Sequence, residues 1–317
     1  MISILDSTTA RKTILRRVPL GDEDVPASVL DRIEATFGER ITPNEAVTRI
    51  LRDIRTQGDS ALRIWTEKLD GKSPSLFRVP SEALQAALAS ISKEERAALE
   101  LAAERIATFY KKQPLISWLT QDMGGVLGQL IRPIRRVGVY VPGGTAPLPS
   151  SVLMSAVPAQ VAGVKEIALA VPPHRGTGEI APIILAAAAL VGVDEVYAMG
   201  GAQAIAALAY GTESIPAVDK IFGPGNLFVT LAKKQVFGVV GIDGLAGPTE
   251  TVVVADEFAK PAWVASDLLA QAEHDVLASA ILLTPSQKLA EAVQVEVGRQ
   301  METLPRAEIV AQSLKDR

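Results

Sequence analysis

The sequence contains no cysteine, which excludes disulfides and every thiolate metal site and fits a reducing, cytoplasmic setting. Histidine occurs only 2 times in 317 residues, as His174 and His274, so an imidazole base or ligand has few places to sit. No dense Lys/Arg tract occurs and the net charge is −4, which argues against nucleic acid as a partner. The longest apolar run, residues 180–193, contains Pro182 and falls short of the ~20 residues of a membrane span. It reads as a buried helix, and no membrane partner is expected. The N-terminus MISILDSTTARK has no basic stretch followed by an apolar one, so a secretory signal is not expected. Two nucleotide-binding loops are also missing: G-x-G-x-x-G with its downstream acid, and Walker A.

What is present is an ample apolar fraction, 48%, on a chain long enough for two lobes. The first part reads as helical. Thr42-Pro43-Asn44-Glu45 combines an N-cap, a proline in the first turn and a capping-box glutamate, and Ser92 to Glu95 repeats the box. Ala46, Ile50, Leu51, Ile54 and Leu62 follow the first signal; Leu99, Ala102, Ile106 and Phe109 form the expected buried stripe after the second, in a helix that Pro114 ends.

From Arg136 short β-branched runs alternate with Ala-rich helices. Strands are expected at residues 137–141, 166–171, 195–199 and 220–222, and helices at 151–162, 180–190, 202–209 and 226–237, the first kinked by Pro158. This alternation predicts a mostly parallel sheet with helices on both faces. A further strand at 251–254, a helix at 261–273, a strand at 281–283, a T-x-x-Q helix start at Thr284 and a last helix over 304–317 complete the chain. The expected fold is α/β, with a helical part over 1–135, a central Rossmann-like lobe over 136–247 and a segment 248–317 that continues the first lobe and leaves it incomplete.

Three glycine turns follow expected strands: Pro142-Gly143-Gly144, Gly200-Gly201-Ala202-Gln203 and Gly223-Pro224-Gly225-Asn226. Each is either an ordinary tight βα turn or part of a ligand cleft, because in a parallel sheet all three lie at the carboxyl edge. There, glycine lets backbone amides approach an anion beside a helix N-terminus. Gln271 and His274 lie three apart on an expected helix and share a face. His274 is either a favourable charge at a helix C-terminus or a metal ligand. Glutamine is a poor zinc ligand in general, and two side chains do not complete a zinc site. His174, in PPHRG, reads as a solvated loop residue.

The segments RRVGVYVPGGTAPLPSSVLMSAVPAQVAG, MGGAQAIAALAYGTESIPAVDKIFGPGN, AGPTE and SDLLAQAEHD closely resemble, in this order, the histidinol dehydrogenases. The likeness runs from about residue 41 to the end and is densest over 132–285. It implies two Rossmann-like lobes distantly similar to those of aldehyde dehydrogenases, and oxidation of L-histidinol through L-histidinal to L-histidine with NAD and zinc. It implies NAD contacts at Tyr140, Gln203 and Asn226, a substrate contact at Thr249 (a position often serine in the family) and zinc ligands that also touch substrate at Gln271 and His274.

The resemblance also implies an adjacent Glu-His pair as catalytic base, an Asp and a late His as further zinc ligands, and a homodimer whose late His crosses between subunits. None of these falls within residues 1–317, where the only adjacent Glu-His pair is Glu273-His274. The expectation is therefore a shortened family member with little or no activity and a weakened dimer. The alternatives are a non-catalytic paralogue that binds nucleotide or a partner chain, and a related zinc-dependent alcohol dehydrogenase of the same family.

Overall fold

A computed structural model describes residues 2–16, 25, 27–122, 124–143, 147–245, 249–274, 276 and 278–316, with the backbone alone at 28 and 316. Gly144, the Ala246-Gly247-Pro248 of AGPTE, and Asp275 lie outside the described residues. The chain runs α1 (Ser7–Lys12), α2 (Ala27–Phe37), α3 (Pro43–Asp70), α4 (Ser81–Ser90), α5 (Lys93–Tyr110), β1 (Trp118–Thr120), β2 (Leu127–Gln129) and β3 (Arg136–Tyr140). It continues α6 (Pro149–Val161), β4 (Glu166–Val171), α7 (Pro182–Leu190), β5 (Glu195–Ala198), α8 (Gly201–Tyr210), β6 (Lys220–Phe222), α9 (Leu227–Val236) and β7 (Gly241–Ile242). The last elements are β8 (Glu250–Val254), α10 (Pro261–Ala272), β9 (Ser279–Leu283), α11 (Gln287–Met301) and α12 (Ala307–Asp316). Two compact units result, Val25–Leu245 and the pair Met1–Asp24 with Ala246–Arg317.

The larger unit is built on a five-stranded sheet in the order β5-β4-β3-β6-β7, every pair parallel. Alternation along the strands sorts the core. Val137, Val139, Val141, Ile167, Leu169 and Val171 face one side with residues of α4, α5, α6 and α7. Tyr140, Ala168, Ala170 and Ile221 face the other with α3, α8 and α9. The second face is lined by small residues, so α8 approaches closely; Ala202 through Ala209 are all buried. A helix apolar on every side needs cover on every side, and α3 supplies it.

That packing moves the first division of the chain. The change of texture at 135/136 marks where strands begin, but α3 to α5 cover the two faces of the sheet that follows. They belong to its unit by contact.

Both expected capping boxes form. The Thr42 amide donates to Glu45 Oε2 at 2.8 Å and the Glu45 amide to Thr42 Oγ1 at 3.2 Å; the Ser92 and Glu95 pair does the same. Ala46, Ile50, Leu51, Ile54 and Leu62 are buried as expected. Phe109 is not: it is 67% exposed and stacks edge-on against Tyr110, because α5 covers the sheet only through its earlier turns. Pro158 sits inside α6 without ending it. α1, α2, α4, β7 and the antiparallel hairpin of β1 and β2 are not among the elements expected from the sequence.

In the smaller unit β8 and β9 pair in parallel around α10, and α10, α11 and α12 share one core with Leu268, Leu289, Val293 and Val310. The start of α11 corrects an expectation. Ser286, not Thr284, is the N-cap, accepting from the Leu289 amide at 3.2 Å, while Thr284 Oγ1, two residues earlier, accepts from the Ser286 amide. Among the described residues no helix is long and apolar enough to cross a membrane.

Gly58 breaks α3 into two helical arms at φ 54°, ψ −132°. The break is held from outside: the Asp59 amide donates to Glu213 Oε2 at 2.7 Å and Ser214 Oγ to Asp59 Oδ1 at 2.9 Å. A β-carbon at Gly58 would collide with the Glu213 carboxylate. Gly58→Ala therefore meets backbone strain and a displaced carboxylate together. We expect it to cost about 2–3 kcal/mol in urea unfolding, against about 1 kcal/mol for Gly71→Ala. Gly71, the C-cap of α3 at φ 86°, has open space around it. Equal costs at the two positions would remove the docking role of Glu213.

Candidate functional site

The sheet order places β3 beside both β4 and β6. The chain leaves β3 toward β4 and β5, then returns to the opposite side of β3 for β6 and β7. This reversal is a topological switch point, and the crevice outside the carboxyl ends of the two strands is where open α/β sheets take ligands.

Tyr140 at the end of β3, Gln203 in the first turn of α8 and Asn226 at the start of α9 all stand at that edge. Tyr140, the last residue of β3, is 4% exposed, and its hydroxyl accepts the Gly201 amide at 3.1 Å, in the first turn of α8. Burial, with the nearby Asp70 carboxylate, pushes the phenol up to about 12, so it stays a neutral hydroxyl at physiological pH. The turn after β6 reaches Tyr140 from the other side. Gly223 has φ 112°, and a β-carbon there would overlap the Tyr140 carbonyl; only glycine fits. Asn226 follows as the N-cap of α9, its Oδ1 accepting from the Val229 amide at 3.2 Å.

Gln203 is fully buried. Its Nε2 donates to Asp70 Oδ2 at 3.0 Å, and its Oε1 is buried without a partner. The sequence pattern does not single out Asp70, although it carries one signal: a carboxylate in the last turn of α3, where the helix dipole opposes it. Burial raises its carboxyl to about 6, against the pull of Arg175 and Gln203.

A second unforeseen pair braces the turn after β6. Lys233, on α9, is 3% exposed and forms an ion pair with Asp243, which is 33% exposed. Lys233 Nζ also donates to the Gly223 carbonyl at 3.0 Å, and the Gly223 amide donates to Asp243 Oδ2 at 2.8 Å. Both polar groups of Gly223 are thus fixed by one ion pair. An open depression of about 620 Å³ beside Arg55, Gly58, Tyr210 and Glu213 lies instead where α8 leads into β6, at the amino edge of the sheet.

The remaining expected site residues are in the smaller unit. Thr249 is exposed just before β8, its carbonyl accepting from the Ser279 amide at 2.8 Å. Gln271 reaches back to β8, where its Oε1 meets Thr251 Oγ1 at 2.8 Å, while its Nε2 is buried without a partner. A hydroxyl both donates and accepts, and the two ends of an amide differ only in assignment. With the amide turned over, Nε2 donates to Thr251 and Oε1 becomes the free atom, the donor a cation needs. His274 is exposed, with Nδ1 2.7 Å from the Ala270 carbonyl. This contact serves one of the last carbonyls of α10. It also places the proton on Nδ1 and leaves the Nε2 lone pair outward, the tautomer of a metal-binding imidazole. Both residues fit zinc as part of a ligand set. Among the described residues no group of three or more His, Cys, Asp or Glu side chains could hold a metal. His174 is exposed as expected, accepting from the Gly176 amide at 3.1 Å.

Lys233→Met leaves the Asp243 carboxylate and the Gly223 carbonyl without their cation. We expect a loss of about 2–4 kcal/mol in urea unfolding, less than for a wholly enclosed pair because Asp243 retains some water. Adding Asp243→Leu should recover part of it. A single variant as stable as the unaltered chain would contradict the brace.

The family model for histidinol dehydrogenase matches residues 38–317. The histidinol dehydrogenase of Deinococcus radiodurans is 53% identical over 304 residues, which is 96% of this chain and 68% of that protein. That of Moorella thermoacetica is 56% identical over 291 residues, 90% of this chain and 68% of that protein. The crystal structure of histidinol dehydrogenase from Elizabethkingia anophelis superposes with a TM-score of 0.81 at 39% identity, covering 92% of this chain and 68% of that one. The chain thus spans about two thirds of the length of these relatives, in one continuous likeness that includes every motif around the switch point, and it belongs to the histidinol dehydrogenase family.

Proposed function

We propose that this chain binds NAD at the switch point beside Tyr140, Gln203 and Asn226, and contributes Gln271 and His274 to a zinc site. Thr249 is then a substrate contact in the oxidation of L-histidinol through L-histidinal to L-histidine. The observation that carries the reading is the convergence of the turns after β5 and β6 on Tyr140 at the end of β3, in a chain of this family. The starts of α8 and α9 stand at that edge, and helix N-termini favour the diphosphate of a dinucleotide. With its oxygen committed to the cap, Asn226 offers its NH2 group as a donor. Zinc, when bound, supplies a fixed positive centre that orients a substrate's imidazole and amine.

Converting a primary alcohol to a carboxylate needs two hydride acceptors, a base in each oxidation and one water. The base that the family resemblance implies, an adjacent Glu-His pair, occurs within residues 1–317 only as Glu273-His274, where His274 already belongs to the zinc set. The same reading places the protein in the cytoplasm and, where the relatives' remaining length is present, in a homodimer.

The 317-residue chain should bind NAD saturably in calorimetry. It should turn over L-histidinol with added zinc at least about 100-fold more slowly than a full-length relative, the scale of a lost general base. Asn226→Ser keeps a capping oxygen and removes the amide, whereas Asn226→Ala removes both. Weaker NAD binding in both variants supports a direct contact. Weaker binding in the alanine variant alone would reduce Asn226 to a helix cap.

A further inference from the structure

The cofactor reading leaves one feature unexplained: a half-buried carboxyl group at the C-terminal end of α3, against the helix dipole, with a buried amide aimed at it. Asp70 Oδ2 accepts from Gln203 Nε2 at 3.0 Å. The other end of that amide, Oε1, is buried with no partner and lies against Gly201, where a β-carbon would stand 2.5 Å away. Gly201 is the residue whose amide is held by the Tyr140 hydroxyl. A carboxylate only accepts hydrogen bonds, whereas a carboxamide has one donating and one accepting end. Asp70 therefore forces the NH2 of Gln203 toward α3 and leaves its carbonyl oxygen at the first turn of α8. An unpartnered buried acceptor is costly, and the cost disappears when a ligand brings a donor.

We propose that Asp70 is a positioning residue that fixes the orientation of the Gln203 amide, and so commits this part of the crevice to a ligand group that donates a hydrogen bond. Within the NAD reading, on which this rests, the donor is a ribose hydroxyl or the NH2 of the nicotinamide carboxamide.

The groups around Asp70 support the assignment. Arg175, from the loop after β4, donates to the Leu69 carbonyl at 2.7 Å and lowers the carboxyl's proton affinity. The Tyr140 hydroxyl faces it from β3, and Gln203 from α8. On its own stretch, Lys68 stacks over Trp65 and Lys72 lies against Gly178. Burial outweighs these attractions and holds the carboxyl at about 6. The folded chain then keeps a proton between about pH 4 and 6 that the unfolded chain has lost. Stability falls as pH rises through that window, and the charged form above it is a cost to the fold. A residue kept charged at such a cost is characteristic of a functional position. Protonation also turns the carboxyl into a possible donor to Gln203 Oε1, which releases the amide's orientation.

The test is NAD binding by calorimetry to the 317-residue chain and its Asp70→Asn and Asp70→Leu variants from pH 5 to 8, with urea unfolding in parallel. We expect the unaltered chain to lose affinity as pH falls through about 6. Asp70→Leu should bind NAD about tenfold more weakly at pH 8, and Asp70→Asn should be intermediate with a flat pH profile. Asp70→Asn, which keeps an acceptor for Gln203 Nε2 and loses the charge, should not be less stable at pH 8. An NAD analogue carrying acetyl in place of the carboxamide, and NADP, which lacks the adenine-ribose 2′-hydroxyl, tell the donors apart: the Asp70→Leu penalty vanishes for the ligand that lacks the donor, and a penalty kept by both assigns one of the remaining ribose hydroxyls. Unaltered affinity in folded Asp70→Leu, or a persisting pH profile in Asp70→Asn, overturns the positioning role while leaving NAD binding intact. Failure of the unaltered chain to bind NAD overturns both.

Discussion

The parallel pairing of β3 with β4 on one side and β6 on the other is the constraint on which the candidate site depends. It creates the reversal of strand order, and with it a crevice at the carboxyl edge that no single loop could make. Tyr140 stands at the end of that strand and ties the crevice together. Its hydroxyl holds the first amide of α8, and its carbonyl sets how close the turn after β6 comes. Small residues along the face beneath let α8 settle onto the sheet, and α3 closes over α8, bringing Asp70 to Gln203.

Among the described residues the two buried cations, Lys233 and Arg136, are both paired. The buried Lys233 is matched by Asp243 and spends a further hydrogen bond on the backbone of the turn it braces. Arg136, equally buried at the amino edge of the sheet, is matched by Glu195 and Glu166. Asp70 differs, since among the described residues no cation sits in hydrogen-bonding contact with it and burial prevails. The two orphaned amide atoms, Gln203 Oε1 and Gln271 Nε2, belong to the two glutamines that the family resemblance marks for cofactor and metal. Thr66 Oγ1, Ser73 Oγ and Arg136 Nε are also buried without a partner, so unmet polar capacity is not confined to those two positions.

Much of this was legible in the sequence. Alternation of β-branched and Ala-rich runs gave the central strands to within a residue or so, because a sheet buried on both faces leaves an almost pure apolar signal. The capping boxes at Thr42 and Ser92 are local chemistry and formed as read. The glycine turns after β5 and β6 lie at the carboxyl edge of the sheet, as their place after strands implied. The packing partners of the N-terminal helices were not legible, because which sheet an amphipathic helix covers is decided by distant residues. The same holds for Asp70, which meets Gln203 across 133 positions, and for Phe109, whose apolar spacing fits a stripe that α5 does not bury at that turn. The short β7 and the hairpin of β1 and β2 carry too few residues to show a period.

The most direct test of the account is hydrogen exchange of backbone amides in the 317-residue chain with and without NAD. The account predicts added protection at residues 200–203 and 223–229, the turns that meet at Tyr140. Protection confined to residues 54–58 and 211–217, around the depression at the opposite edge, would contradict it.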